Sequence, residues 1–210
     1  MSSLVKCIFV AEKIKMTGLR HLFFLIFWLC VSVLDAQSIM LKNPSFEGDQ
    51  SLPISILGWS PCQRGSTPDL LPGLWNVYLP AKDGNNYLGL ITREDGTYEE
   101  VVQELPISLK QNECYKINMW LAHSETYVGY NLPVRLRIWS CDKNCNKIQL
   151  LSTTKLITNT FWENNELFMD PKTDVKYLMF EAFYGPGIFV PYKGNVLIDN
   201  IGYIEKCKRA

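Results

Sequence analysis

Histidine is almost absent: the 210 residues hold two, and only His123 lies beyond the N-terminal apolar run. A nucleophilic triad needs a base that reaches its nucleophile and is steadied by a carboxylate. The adjacent Ser124 points to the opposite face if the two lie on one strand, so this pair cannot serve. His123 instead reads as a hydrogen-bonded structural residue near a strand end. Charge of one sign is also lacking, with 21 basic and 21 acidic residues, which argues against a nucleic-acid-binding surface. There is no Walker loop, no dinucleotide fingerprint and no EF-hand loop. No stretch repeats apolar residues at helical spacing over a dozen positions, so long helices are not expected.

The one long apolar run, "LFFLIFWLCVSVL" (residues 22–34), is too short for a membrane span of roughly 20 residues. It matches a secretory h-region of about 7–15. Residues 1–36 therefore read as a signal peptide with Ala36 near the cut, and Met16 as the alternative start. Residues 37–210 read as one domain, with no membrane span once the signal is removed. Removing 1–36 takes four cations and two acids, leaving a net charge of about −2. Export, whether to the periplasm, the cell surface or the medium, implies an oxidising compartment where disulfides persist. Five cysteines remain, Cys62, Cys114, Cys141, Cys145 and Cys207. The local pair in "CDKNC" is the easiest bridge, and one thiol is left over.

The mature chain is made of short strand-like runs, "YLGLIT", "CYKINMWLA", "VRLRIWSC", "KIQLLSTTKL", "KYLMFEAFY" and "NVLIDNIGYI". Turn segments such as "KDGNN", "EDGT" and "YGPG" separate them. Many short strands with polar turns predict an all-β sandwich or jelly roll. In "YKINMWLA", Asn118 and Trp120 lie opposite the apolar set. In "VRLRIW", Arg135, Arg137 and Trp139 do so. An exposed tryptophan beside amides or guanidinium groups is unusual for a bland surface. Aromatic rings cover the apolar faces of sugars, while amides and guanidinium groups meet their hydroxyls. Trp120 and Trp139, with Asn118, Arg135 and Arg137, thus form a candidate site, walled by loop aromatics Trp75, Tyr78, Tyr127, Tyr130 and Tyr192. "TPDLLPGLW" reads as a cap over a sandwich end, or as a loop presenting Asp69 and Trp75. Glu99, Glu100, Glu104 and Glu181 are the acids available for a hydrolytic pair.

Two acids are poorly explained by solvation. Glu47 closes "NPSFE", at the end of what reads as the first strand, and Asp199 lies inside the apolar "VLIDNI", where strand propensity disfavours it. A calcium ion, which takes carboxylate and carbonyl oxygens, explains both.

"NPSFE", "GWS" a dozen residues later and the closing "LIDNI" resemble galactose-binding-like β-jelly rolls, including the carbohydrate-binding modules of bacterial cellulases and xylanases. More narrowly, "STPDLLPGLW", "DGNNYLGLITREDGTYEE" and "GNVLIDNI" resemble a form seen in secreted proteins of gliding bacteria. The resemblance implies a jelly roll with a structural calcium. Glu47 and Asp199 would be its side-chain ligands, Asp83 would contribute, and carbonyls of "KDGNNY" would complete the shell. It also implies a secreted, non-catalytic module binding a carbohydrate or cell-surface glycan. The alternatives are an adhesive surface component that binds an envelope protein, and a glycan-acting hydrolase.

Overall fold

Period-two alternation of apolar residues builds this molecule. A computed structural model describes residues 38–50, 56–62, 65–187 and 190–208; the expected signal peptide lies outside them. The strands are β1 (Ser60–Pro61), β2 (Asp69–Leu71), β3 (Tyr87–Thr92), β4 (Glu100–Leu109), β5 (Tyr115–Ala122), β6 (Leu132–Pro133), β7 (Arg135–Cys141), β8 (Lys147–Thr153), β9 (Glu163–Met169), β10 (Val175–Phe183), β11 (Gly194–Asp199) and β12 (Glu205–Lys206). One sheet runs β1-β4-β10-β7-β8. The other runs β12-β5-β11-β3-β2, with β9 paired to β5 and β6 to β11. The pairings are antiparallel except the short β6–β11 contact. The described residues contain no helix, and the architecture is the expected β-sandwich of jelly-roll type.

Inward side chains from both sheets form the main core, among them Leu105, Met119, Leu121, Ile138, Phe180 and Ile198. β4 and β9 have no counterpart in the strand-like runs above. β4 contains Pro106, which cannot donate to a ladder. The β4–β10 register shifts there, between the pairs Tyr177–Glu104 and Val175–Leu109.

A second apolar cluster lies on the outward side of the larger sheet, where Leu71, Val77, Tyr87, Ile91, Ala122, Tyr127 and Leu197 pack together. "TPDLLPGLW" creates it: Asp69–Leu71 is an edge strand on β3, and the following loop covers the sheet's face. The expected cap over a sandwich end is corrected to a cap over a sheet.

The two chain ends meet directly. Ile39 and Ile204 exchange two 2.8 Å backbone hydrogen bonds, and Ile201 N donates to Pro44 O at 3.0 Å. Disulfides Cys62–Cys145 and Cys114–Cys207 link distant segments, which fits an oxidising environment. The expected bridge within "CDKNC" is therefore corrected. Cys141 ends β7 as a buried free thiol, while Cys145 sits in the next turn at φ +66° and reaches Cys62. Burial raises the Cys141 thiol to about 11. A thiol reagent is expected to find no reactive cysteine in folded residues 37–210 and one per chain after denaturation. Two or more free thiols on denaturation would refute the pairing.

Candidate ligand face and a doubly clamped turn

The opening motif folds as a loop rather than a strand end. Asn43 ties it together: its Oδ1 accepts Glu47 N at 2.9 Å, and its Nδ2 donates to Glu47 O and Leu57 O at 2.8 and 3.1 Å. Phe46, at φ +54° and fully buried, packs on Trp59 with centroids 5.1 Å apart. Trp59 in turn lies 5.3 Å from Phe180. "NPSFE" and "GWS" are thus two halves of one plug. Inward-facing Gln103 holds it with bonds to Lys42 N, Lys42 O and Gly58 O.

Glu47 then meets the turn at 82–86 from one side, its Oε1 accepting Asn85 N and Asn86 N, both at 2.9 Å. Asp199, buried at the end of β11, meets the same turn from the other: Oδ2 accepts Lys82 N at 2.7 Å and Asp83 N at 3.1 Å, and Oδ1 accepts Asn200 N at 2.6 Å. Asp83 Oδ2 accepts Ser45 Oγ at 2.7 Å. Burial pushes the Asp199 carboxyl up to about 6; the three backbone N–H groups oppose this and the Asp83 charge adds to it. Two acids 152 positions apart therefore grip one five-residue turn. Among the described residues no three acid, histidine or cysteine side chains form a metal-binding group.

Gly84 is required within this turn. Its φ is +66°, and an added Cβ would collide with the Glu47 carboxylate. Gly84→Ala is expected to cost about 1–2 kcal/mol from the left-handed backbone alone, read as a lower thermal midpoint. An unchanged midpoint would count against the clamp.

On the outward side of the five-stranded sheet, a polar cluster forms around β10. Glu181 is the register partner of both Glu100 on β4 and Arg137 on β7. The Lys147 ammonium hydrogen-bonds to Glu181, lies 3.2 Å from Glu100 Oε2, and donates to Tyr98 OH at 3.1 Å. Arg137 Nη1 lies 3.6 Å from Glu181 Oε1, and its guanidinium stacks 3.2 Å over the Phe183 ring. Burial raises the Glu100 carboxyl; the Lys147 charge opposes the rise and the Glu181 charge adds to it. Burial works against the Lys147 charge, but bonds to Glu181 and Tyr98 outweigh it and raise the ammonium.

Four buried side-chain atoms among the described residues lack a hydrogen bond: Glu100 Oε2, Glu181 Oε1, Arg137 Nε and Trp139 Nε1. All four belong to this cluster, two as acceptors and two as donors. A buried polar atom without a hydrogen bond is uncommon and calls for an explanation.

The structure divides the expected site. Arg135, Arg137 and Trp139 share this outward face on β7. Asn118 and Trp120 lie on β5, on the outward face of the other sheet and so on the opposite side of the molecule. Alternation along a strand separates inside from outside but does not say which sheet the strand joins, so a single site containing both tryptophans is corrected. Both are half-buried, and Lys82 Nζ lies 3.8 Å over the Trp120 ring. Trp75 and Tyr78 are exposed on the loop that covers the larger sheet, again away from Trp139. Tyr127 is buried in the second cluster rather than walling a site. Tyr192 packs on the main core, its hydroxyl donating to Pro133 O at 2.8 Å. Buried His123 lies just past β5, with Nδ1 3.4 Å from Asn195 O, in the structural role expected of it. Of the four candidate hydrolytic acids, Glu100 and Glu181 come together. Glu99 bonds to Arg93 Nη2 at 2.6 Å, and Glu104 pairs with Lys176. Lys147, Tyr98 and Phe183 were not singled out from the sequence; no local pattern marks them, because register across β7, β8 and β10 assembles the group.

No protein-family model matches the sequence, and no curated protein does. Solved structures do. An arabinose-bound α-L-arabinofuranosidase, MgGH51, superposes with TM-score 0.56 at 14% identity, over 81% of this chain; the chain covers only 26% of that enzyme. An apo cyclase from Fischerella sp. gives 0.53 at 15%, over 82% of this chain and 98% of that one. The CBM22-1 xylan-binding domain of Paenibacillus barcinonensis Xyn10C gives 0.50 at 16%, over 83% and 97%. At these identities the likeness is one of fold. The chain shares with them the β-sandwich fold of jelly-roll type.

Proposed function

We propose that this is a secreted, non-catalytic module that binds carbohydrate on the outward face of its five-stranded sheet, through Trp139, Arg137, Glu181 and Glu100. The observation that carries this reading is the convergence on that face of four buried polar atoms without a hydrogen bond, two of them carboxylate oxygens that face the Lys147 and Arg137 cations. A hydroxyl donates one hydrogen bond and accepts others, so a polyol meets the two acceptors and two donors at once. The half-buried Trp139 ring supplies an apolar surface for the sugar's C–H face. A xylan-binding domain among the similar folds supports the ligand class.

A structural calcium belongs to this proposal. Glu47 and Asp199 would hold it beside the 82–86 turn, with Asp83 and turn carbonyls contributing. The donor set fits, because calcium takes carboxylate and carbonyl oxygens and needs no histidine or cysteine. Neutralising the desolvated Asp199 carboxylate is what the ion would supply.

A hydrolytic reading draws on one observation: Glu100 and Glu181 are directly opposed, and burial raises the Glu100 carboxyl. Against it, Lys147 lies against both carboxylates. Residues 37–210 on a glycan array, in calcium and then in chelator, test the module. Retention on a defined set of glycans is expected, without release of reducing sugar. Retention on none would overturn the reading, and turnover lost in Glu181→Gln would replace it with the enzyme.

A further inference from the structure

Trp75 occupies a backbone position that suits few side chains. Val77 N donates to Leu74 O at 2.9 Å and Gly73 N to Val77 O at 2.8 Å, closing a turn whose central residues, Trp75 and Asn76, have φ of +52° and +64°. Two successive positive φ angles inside such a turn fit type I′, where Asn and Gly are the usual occupants. A bulky residue there is a genuine outlier. Burial does not compensate, since Trp75 is 55% exposed, and Val77, fully buried, anchors the loop.

The indole is nevertheless held in place. Its Nε1 donates to Asp69 Oδ1 at 2.9 Å, and the other Asp69 oxygen takes the Tyr127 hydroxyl. The Trp75 carbonyl accepts Val128 N at 3.0 Å. Leu74 and Tyr78 on the same loop, and Val128 on the segment bonded to it, are exposed as well. Residues 72–81 and 126–131 contain no charged side chain. Strained conformations persist where the surroundings enforce them, and they concentrate at functional sites.

We infer that Leu74, Trp75, Tyr78 and Val128 form a second carbohydrate-contacting surface, on the opposite side of the sandwich from Trp139, that lies against uncharged sugar rings of an extended polysaccharide. The inference rests on the glycan-binding reading above and adds a second contact surface to it. The absence of charge on both loops offers nothing to an acidic polymer or an anionic membrane. Four side chains fall well short of the ~800 Å² per partner of a stable protein interface, yet they suffice for stacking on one or two sugar rings. With a site on each side, one domain can hold two chains, and avidity then raises retention on a solid polymer without new contacts.

The test compares wild type with Trp75→Asn and Tyr78→Ala. Asparagine suits the left-handed turn, so Trp75→Asn is expected to fold with an equal or higher thermal midpoint. Retention on insoluble xylan, cellulose or mannan, whichever holds the wild type, should fall at least tenfold in both variants. Calorimetry with soluble oligosaccharides of the same polymer should show unchanged affinity, because those occupy the Trp139 face. Equal retention of variants and wild type overturns the second surface while leaving the first intact. Wild type that is retained on no insoluble polymer also overturns it. Loss of soluble binding in Trp139→Ala but not in Trp75→Asn keeps the two sites distinct. Sedimentation with phosphatidylcholine vesicles that depends on Trp75 would replace the sugar with a lipid surface, and so refute the inference.

Discussion

Asp199→Ala should lower folding stability by about 3 kcal/mol and abolish any stabilisation by calcium. The carboxylate accepts three backbone N–H groups, and hydrogen bonds to a charged group contribute about 1.5–3 kcal/mol each. Part of that sum is already spent on desolvating the charge. An ion that binds only the folded state adds RT ln(1 + [L]/Kd), about 2.7 kcal/mol at a hundredfold excess over Kd. Wild type should gain of that order from calcium, and Asp199→Ala nothing.

Asp199 also gives the clamp a pH signature. Its folded pKa, about 6, lies above the ordinary value of 3.8, so the folded state holds the proton more tightly. Its contribution is therefore full below about pH 4 and is lost as pH rises through 6. In chelator, the thermal midpoint of wild type relative to Asp199→Asn should fall over that range. Calcium favours the deprotonated carboxylate and should flatten the fall. A difference between the two proteins that rises with pH in chelator would contradict this electrostatic account.

Trp139→Ala should weaken glycan retention at least tenfold, a loss of about 1.4 kcal/mol or more, with the thermal midpoint nearly unchanged. The indole supplies both an apolar face and one of the four atoms without a hydrogen bond, and it is half-buried at the edge of the cluster rather than packed in the core. Trp120→Ala is the matched control. Trp120 lies on the other sheet beneath Lys82, so retention should not change. Equal losses in both variants would point to a general effect on folding, and a loss in Trp120→Ala alone would move the site to the opposite face.

The strands whose alternation is clean were legible in the sequence. Tyr115, Ile117, Met119 and Leu121 are buried as their spacing requires. β4 and β9 were not: one carries Pro106 and two glutamates and the other reads "ENNELFM", so neighbouring strands impose an extended form that local propensity does not announce. Asp199 was legible because an acid in an apolar strand is costly without a partner, and Glu47 because it closes a motif. What their oxygens grip was not, since that depends on the 82–86 turn passing between them. The polar cluster around β10 was only half legible. Arg137 and Trp139 stand out on β7, but Glu181 and Lys147 join them through register across three strands. The same limit merged two faces into one site, because Trp120 and Trp139 have identical alternation and opposite destinations.

The most direct test follows the indole N–H resonances of ¹⁵N-labelled protein during titration with a soluble oligosaccharide selected on the array. The Trp139 Nε1–H should shift as the sugar fills its missing hydrogen bond. Trp59 and Trp162, already bonded to Asn43 O and Pro80 O, should hold still. A saturating sugar that moves Trp120 or Trp75 and leaves Trp139 where it was would contradict the account.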